Sequence, residues 1–198
     1  MAMEDSTLPS PSISSGAGFW IRAAARLIDV AYGTMLGFFA GVLAGIMLVM
    51  LSRAGLIAPG WQSRIHGVNI PGWGLSLLGG FLYHSLTEGM YGASLGKLIC
   101  QLRVVTEEGR SIAIKQALVR SLACYIDALF LGIVAYSSMK ESPLNQRYGD
   151  KWAHTVVVRS KDLPSGSGKG AELFVLAFLM GSVFWMVLLA VGLIIHVM

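Results

Sequence analysis

IRAAARLIDV, residues 21–30, carries two arginines and an aspartate directly into a long apolar run. Arg22 and Arg26 stand at the threshold of this run, and Asp29 lies within it. A charged side chain in the apolar zone of a bilayer costs about 2.5–3.5 kcal/mol on insertion scales. We therefore expect Asp29 to face protein or water and to have a partner, and Arg26, three residues earlier, is the nearest candidate.

The composition places the rest of the chain in a membrane as well. Of its 198 residues, 55% are hydrophobic and 13% are charged, and the mean hydropathy is +0.65. A soluble domain carries about 25% charged residues. Crossing a hydrocarbon core of about 30 Å requires about 20 apolar helical residues, and four segments have that character: 30–51, 73–91, 117–139 and 172–197. The sequence predicts an all-α polytopic protein whose main partner is the lipid bilayer.

The polar segments indicate orientation. Residues 1–18 lack the basic start and the apolar stretch of a signal peptide, so they predict a disordered cytoplasmic tail. If segment 117–139 crosses the membrane, the basic residues after it lie outside, against the positive-inside rule. If it is re-entrant, both basic loops lie in the cytoplasm, provided that protein covers the irregular backbone. Both paths stay open, and we expect a bacterial inner-membrane protein with a cytoplasmic amino terminus and no nucleic-acid partner.

Two short runs outside the spans have β character. Residues 102–105 and 155–159 are rich in valine, and we expect them to pair as a small cytoplasmic ribbon supported by helices. Residues 161–171 contain a Ser/Gly-rich linker, and the final segment 172–198 is predicted to be an additional transmembrane helix after a membrane domain at 19–160.

A second stretch later in the chain is similar in sequence to residues 21–30. VRSLACYIDA, residues 119–128, repeats the arginine and the aspartate seven residues apart as Arg120 and Asp127. Residues seven apart lie nearly on one helix face, about 10.5 Å apart along the axis, and weak internal similarity is typical of repeated membrane folds. Each Asp is interpreted either as part of a salt bridge that fixes helix depth or as an ion or proton site.

His84 and Glu88 form a second polar pair, four residues apart on one face of segment 73–91. An intramembrane glutamate is a functional-site hypothesis by default, and a histidine beside a carboxylate can titrate near neutral pH. The alternative is that both lie near the cytoplasmic end and contact headgroups or Arg22.

Four glycines share one face of the first span: Gly33, Gly37, Gly41 and Gly45. Such small-residue ridges let helices approach closely in lipid. This face is predicted to pack against the second span or, alternatively, to form a homodimer.

The sequence indicates no enzyme. The histidines have no metal-binding spacing, and no Ser-His-Asp or Cys-His set can be argued from position. We expect no catalytic residues, no metal and no cofactor.

Several blocks in order resemble the RDD family of small integral membrane proteins: 19–29, 92–97, 102–105, 117–120, 146–150 and 155–158, with Gly109 and Ala153. The family name denotes one arginine and two aspartates. The resemblance places the arginine at Arg22 or Arg26 and the first aspartate at Asp29. The second aspartate is most naturally Asp150, and Asp127 also fits.

The resemblance implies a three-segment helical core with one extra carboxy-terminal transmembrane helix and a small cytoplasmic β-ribbon. It also implies participation in transport, since members similar to cation/proton antiporters occur. We therefore expect transport or antiport of small cations or protons at Asp29, Arg22, Arg26, His84 and Glu88. The alternative is an accessory or assembly subunit of a larger membrane complex.

Overall fold

A computed structural model describes residues 13, 15–57, 60, 70–127, 132–163 and 169–197. Most of the predicted tail and residues 164–168 of the predicted linker lie outside the described residues. The elements in chain order are α1 (Phe19–Arg53), α2 (Ile70–Tyr91), α3 (Leu95–Ile99), β1 (Leu102–Thr106), α4 (Ile114–Asp127), α5 (Ile133–Glu141), α6 (Tyr148–Trp152), β2 (Thr155–Arg159) and α7 (Ala171–Val197). A short 3₁₀ turn, Ser160–Asp162, follows β2.

The two longest helices are the candidate membrane spans. α1 has 35 residues and α7 has 27, and both are long and apolar enough to cross a bilayer. Large apolar side chains such as Phe38 and Val183 stay exposed on them, as lipid-facing positions require. The prediction of a mostly helical membrane protein is confirmed in this form, with two candidate spans and a two-stranded sheet.

Segment 117–139 is not one helix. α4 ends at Asp127, and α5 begins at Ile133 after Gly132, whose φ of +85° is left-handed. Helices of 14 and 9 residues extend only about 21 and 14 Å, less than the hydrocarbon thickness. α4 is amphipathic and turns a polar face, which includes Arg120, into the protein. Of the two paths that the sequence leaves open, the broken element fits this structure, and whether the segment is re-entrant in a membrane stays a prediction.

α7 is an integral part of the helical bundle. It packs along α2 and also contacts α1. Its Trp185 ring fills the space above Gly33 of α1 and Gly79 of α2, where a Cβ would come within 2.4 and 2.1 Å of ring atoms. At Gly33 the first span therefore meets α7, and not the second span as predicted.

The rest of the glycine face is open within the described chain. A Cβ added at Gly37, Gly41 or Gly45 would meet no described atom within 4 Å. The homodimer through this face stays a prediction.

The predicted ribbon is confirmed. β1 and β2 pair antiparallel, with Leu102 opposite Arg159 and Thr106 opposite Thr155. Val104 and Val157 are buried in a core that also contains Ala25 of α1 and Ala117 of α4. Because a lone two-stranded ribbon is marginal in water, this packing against α1 and α4 stabilises it.

α3 lies directly on α1. A Cβ at Gly96 would come within 1.9 Å of the backbone oxygen of Ala25, so only glycine permits this approach. α6 approaches α4 in the same way, since a Cβ at Gly149 would lie 2.8 Å from the Cβ of Ala123. These two contacts fix the short helices on the long ones.

We predict that Gly96→Ala lowers the thermal unfolding midpoint of the detergent-solubilised protein. The added methyl group meets rigid backbone, and overpacking of this kind costs about 1–3 kcal/mol. Gly45→Ala is the matched control, because its methyl group meets no described atom and alanine is the better helix former. Equal midpoints for Gly96→Ala and Gly45→Ala would contradict the packing of α3 on α1.

Candidate functional site

Buried charges gather where the start of α1 and the end of α2 meet α3, α4 and α6. Helical spacing explains how the sequence delivers them, since Arg22, Arg26 and Asp29 lie on one face of α1, and His84 and Glu88 lie one turn apart on α2. The charge cluster consists of Arg22, Arg26, Asp29, Glu88, Lys97, Arg120, Asp127, Arg147 and Asp150, with His84 beside it.

Asp150 is the centre of this cluster. One carboxylate oxygen accepts a hydrogen bond from Arg22 and the other from Arg120. The backbone N–H of Arg147 also donates to Asp150, at 3.0 Å, and so caps α6. Burial alone would raise the pKa of Asp150, but the positive charges of Arg22, Arg120 and Arg147 hold it below its usual range. Asp150 is therefore a permanently ionised anchor, and Arg22 is the α1 arginine that contacts it.

Glu88 is the second anchor. It forms ion pairs with Lys97 and with Arg120, whose Nε lies 3.1 Å from a Glu88 oxygen. Arg120 thus bridges Glu88 and Asp150, and it also donates to Thr155 Oγ1 at 2.6 Å. Burial lowers the pKa of Lys97 to about 8, although the Glu88 carboxylate opposes the shift. Among the described residues, Glu88 forms no ion pair with Arg22, one of the contacts that the sequence left open.

Asp29 has a different environment from the other carboxylates. It accepts hydrogen bonds from Ser94 Oγ at 2.6 Å and from the backbone N–H of Gly96 at 2.8 Å. Among the described residues it has no ion pair within 4 Å. Asp29 therefore holds the start of α3 on α1, and it is the one buried carboxylate of the cluster that no cation neutralises by direct contact within the described residues.

Arg26 does not pair with Asp29 as expected. Its guanidinium forms a hydrogen bond with Nε2 of His84 on α2. Because an arginine can only donate, Nε2 of His84 accepts, and the imidazole is neutral in this arrangement. The Arg26–His84 pair links α1 to α2.

The second Arg–Asp copy is organised like the first. Arg120 does not contact Asp127; instead Arg22 and Arg120, the arginines of the two copies, bind opposite oxygens of Asp150. The aspartates also correspond, because Asp29 faces the N–H of Gly96 in α3 and Asp127 faces the N–H of Gly149 in α6. A strand follows each short helix. The chain thus contains two structural repeats that meet at the charge cluster.

Within the described residues, three cavities border the cluster, and two of them meet at Asp29 and His84. An inner cavity of about 40 Å³ is lined by cationic residues, including Arg22, Arg120 and Arg147. A groove of about 520 Å³ runs between α1, α2, α4 and α7, past Gly33 and Gly37. Five residues line both spaces: Arg26, Asp29, Gly80, His84 and Tyr125. The Arg26–His84 pair and Asp29 therefore lie where the groove and the inner cavity meet.

The site that was predicted from the sequence did not include two residues of the charge cluster. Lys97 lies in the last turn of α3 and Arg147 is the N-cap residue of α6, within the blocks 92–97 and 146–150 that carried the family resemblance. Those blocks were the sequence signal that could have identified both residues, because each has an ion partner nearby in the sequence: Glu88 lies nine residues before Lys97, and Asp150 lies three residues after Arg147. The described residues include no group of His, Cys, Asp or Glu side chains arranged to hold a metal ion.

Comparison with known proteins gives one match. The model of the RDD family matches residues 16–154, a range that contains both repeats apart from β2. No curated protein and no solved structure matches the chain significantly.

We predict that Asp150→Asn destabilises the protein by about 3–5 kcal/mol, because it leaves Arg22 and Arg120 buried without their shared counter-charge. The thermal unfolding midpoint in detergent, followed by tryptophan fluorescence, measures the loss. Asp162→Asn makes the same chemical change at an exposed position and should change stability by less than about 0.5 kcal/mol. An Asp150→Asn protein as stable as Asp162→Asn would show that the cluster does not hold the helices together.

Proposed function

This chain belongs to the RDD family, and we propose that it is a membrane transport protein that takes up and releases a proton at Asp29 and His84. The observation that carries the proposal is the position of these two groups at the junction of the groove and the inner cavity. In the proposed orientation, the amino terminus and the ribbon lie on the cytoplasmic side of a bacterial inner membrane.

The hydrogen bonds of the cluster separate anchoring residues from exchangeable ones. Glu88 and Asp150 each bind two cationic side chains, so protonating either of them would leave buried positive charges uncompensated. Asp29 has no carboxylate–cation pair to break, so a proton can bind to it at a smaller electrostatic cost than it can bind to Glu88 or Asp150. Proton uptake at His84 requires the Arg26–His84 hydrogen bond to break.

The charges favour a proton over a metal cation. Five cationic side chains line the inner cavity: Arg22, Arg26, Lys97, Arg120 and Arg147. A metal cation needs several oxygen ligands, but the oxygens of Glu88 and Asp150 are already used by arginine and lysine donors, whereas a proton needs a single acceptor. Of the cation and proton transport expected from the sequence, the geometry best supports the proton.

The repeated architecture supports transport as well. Many transporters are built from internal repeats, with the site at the interface between them and charged groups near broken helices. Here the arginines of the two Arg–Asp copies meet at Asp150, and α5 begins after a left-handed backbone conformation at Gly132. The candidate proton groups lie beside that interface.

The proposal is tested by proton flux into proteoliposomes. The purified protein is reconstituted with a pH-sensitive dye inside, and a potassium diffusion potential set with valinomycin drives protons inward. We predict acidification with the wild-type protein and a rate at least about tenfold lower with Asp29→Asn, since an amide cannot exchange a proton. Repeating the assay with a sodium gradient tests for antiport.

Asp29→Asn is a suitable variant because asparagine can keep α3 in place. Its oxygen can accept from Gly96 N–H, and its NH₂ group can donate to Ser94 Oγ. Glu108→Gln, at an exposed residue outside the charge cluster that forms an ion pair with exposed Arg110, is the acid-to-amide control and should transport at the wild-type rate. Full flux in Asp29→Asn, or no flux in the wild type, would overturn the proposal; the second result would favour the alternative of an assembly subunit.

A further inference from the structure

Three polar groups of residues that line the inner cavity have no hydrogen-bond partner among the described residues: Arg22 Nε, Ser121 Oγ and Arg147 Nε. Arg147 Nε lies 3.8 Å from an Asp150 oxygen and 3.9 Å from an Asp127 oxygen, beyond hydrogen-bond length. Arg22 is 6% exposed, Ser121 is 7% exposed and the Arg147 side chain is 20% exposed. Buried donors are nearly always paired in proteins, so an acceptor that the protein does not supply is expected between them.

The charge balance identifies the kind of acceptor. The cluster holds five cationic side chains, Arg22, Arg26, Lys97, Arg120 and Arg147, against four carboxylates, Asp29, Glu88, Asp127 and Asp150. One positive charge is in excess while His84 is neutral. An uncompensated buried charge is strongly destabilising, and one monovalent anion would remove the imbalance.

The inner cavity has room for a small ion. Its volume of about 40 Å³ exceeds the roughly 10–15 Å³ that one water needs on the same measure. The single excess positive charge favours a monovalent anion over sulfate, which carries two negative charges. From the free donors, the excess charge and the volume together, we propose that the inner cavity binds one halide-sized monovalent anion between Arg22, Ser121 and Arg147.

This site goes beyond proton transport and does not depend on it. Arg22, Ser121 and Arg147 come from the first helix of one repeat, the first helix of the other and the start of α6, so the anion would bridge the two repeats. Asp29 and Glu88 also line the cavity, but their oxygens accept from Ser94 and Gly96 and from Lys97 and Arg120, respectively.

Chloride binding to the detergent-solubilised full chain tests the inference. The ³⁵Cl linewidth is measured while chloride replaces gluconate at constant ionic strength. We predict saturable broadening that bromide competes away and sulfate does not. Removing one hydrogen bond to an ion costs roughly a factor of ten or more in affinity, so Ser121→Ala should bind chloride about tenfold more weakly.

Ser85→Ala is the matched control. The Ser85 hydroxyl is also buried and without a partner among the described residues, but it does not line the inner cavity. Neither alanine removes a hydrogen bond seen in the described chain, so both variants should fold. The thermal midpoint in gluconate checks this, and chloride should raise the wild-type midpoint by mass action.

The outcomes separate this inference from proton transport, because binding needs no gradient. Saturable chloride binding without proton flux would overturn the transport proposal and leave the anion site standing. Flux without saturable chloride binding would overturn the anion site alone. Equal weakening by Ser121→Ala and Ser85→Ala would also overturn it, because the effect would then not come from the cavity.

Discussion

Asp150 accepts hydrogen bonds from Arg22 of α1 and Arg120 of α4, and the backbone of its own helix donates to it as well. The carboxylate and both guanidinium groups are buried, so each charge has lost the water that would otherwise solvate it. Such an arrangement persists only when every member is present. It therefore sets where α1 meets the polar layer, and the positions of Asp29 and Arg26 on α1 follow from that contact by helical geometry.

The correspondence of the two Arg–Asp copies explains why this one contact positions several helices of the chain. In each repeat an arginine reaches the common centre, an aspartate seven residues later faces the start of a short helix, and a glycine in that helix permits close approach. The closest contacts correspond as well, since Gly96 packs at Ala25 and Gly149 at Ala123, each three residues after the repeat's arginine. The site is therefore built from two half-sites, and β1 and β2 pair antiparallel beside it.

Local patterns in the sequence predicted the elements but not all their partners. The seven-residue Arg–Asp spacing revealed the two copies, and the valine-rich runs predicted the ribbon. Sequence proximity wrongly assigned Arg26 to Asp29, because the free N–H of Gly96 and the Ser94 hydroxyl, more than 60 residues away, satisfy that carboxylate better. For the glycine ridge, nothing in the first span indicates that Trp185 of α7 would cover Gly33, and the partner of the other three glycines stays a prediction.

The Arg26–His84 hydrogen bond connects protonation to the separation of the two cavities. His84 accepts through Nε2 only while that nitrogen carries no proton. Proton uptake at Nε2 would convert the acceptor into a donor and place two positive charges side by side, so the pair would have to separate. Both residues line the groove and the inner cavity, so their separation would change the boundary between these spaces. An anion held near Arg22 and Arg147 would lower the cost of the added positive charge, which gives a physical reason for proton and anion to bind together.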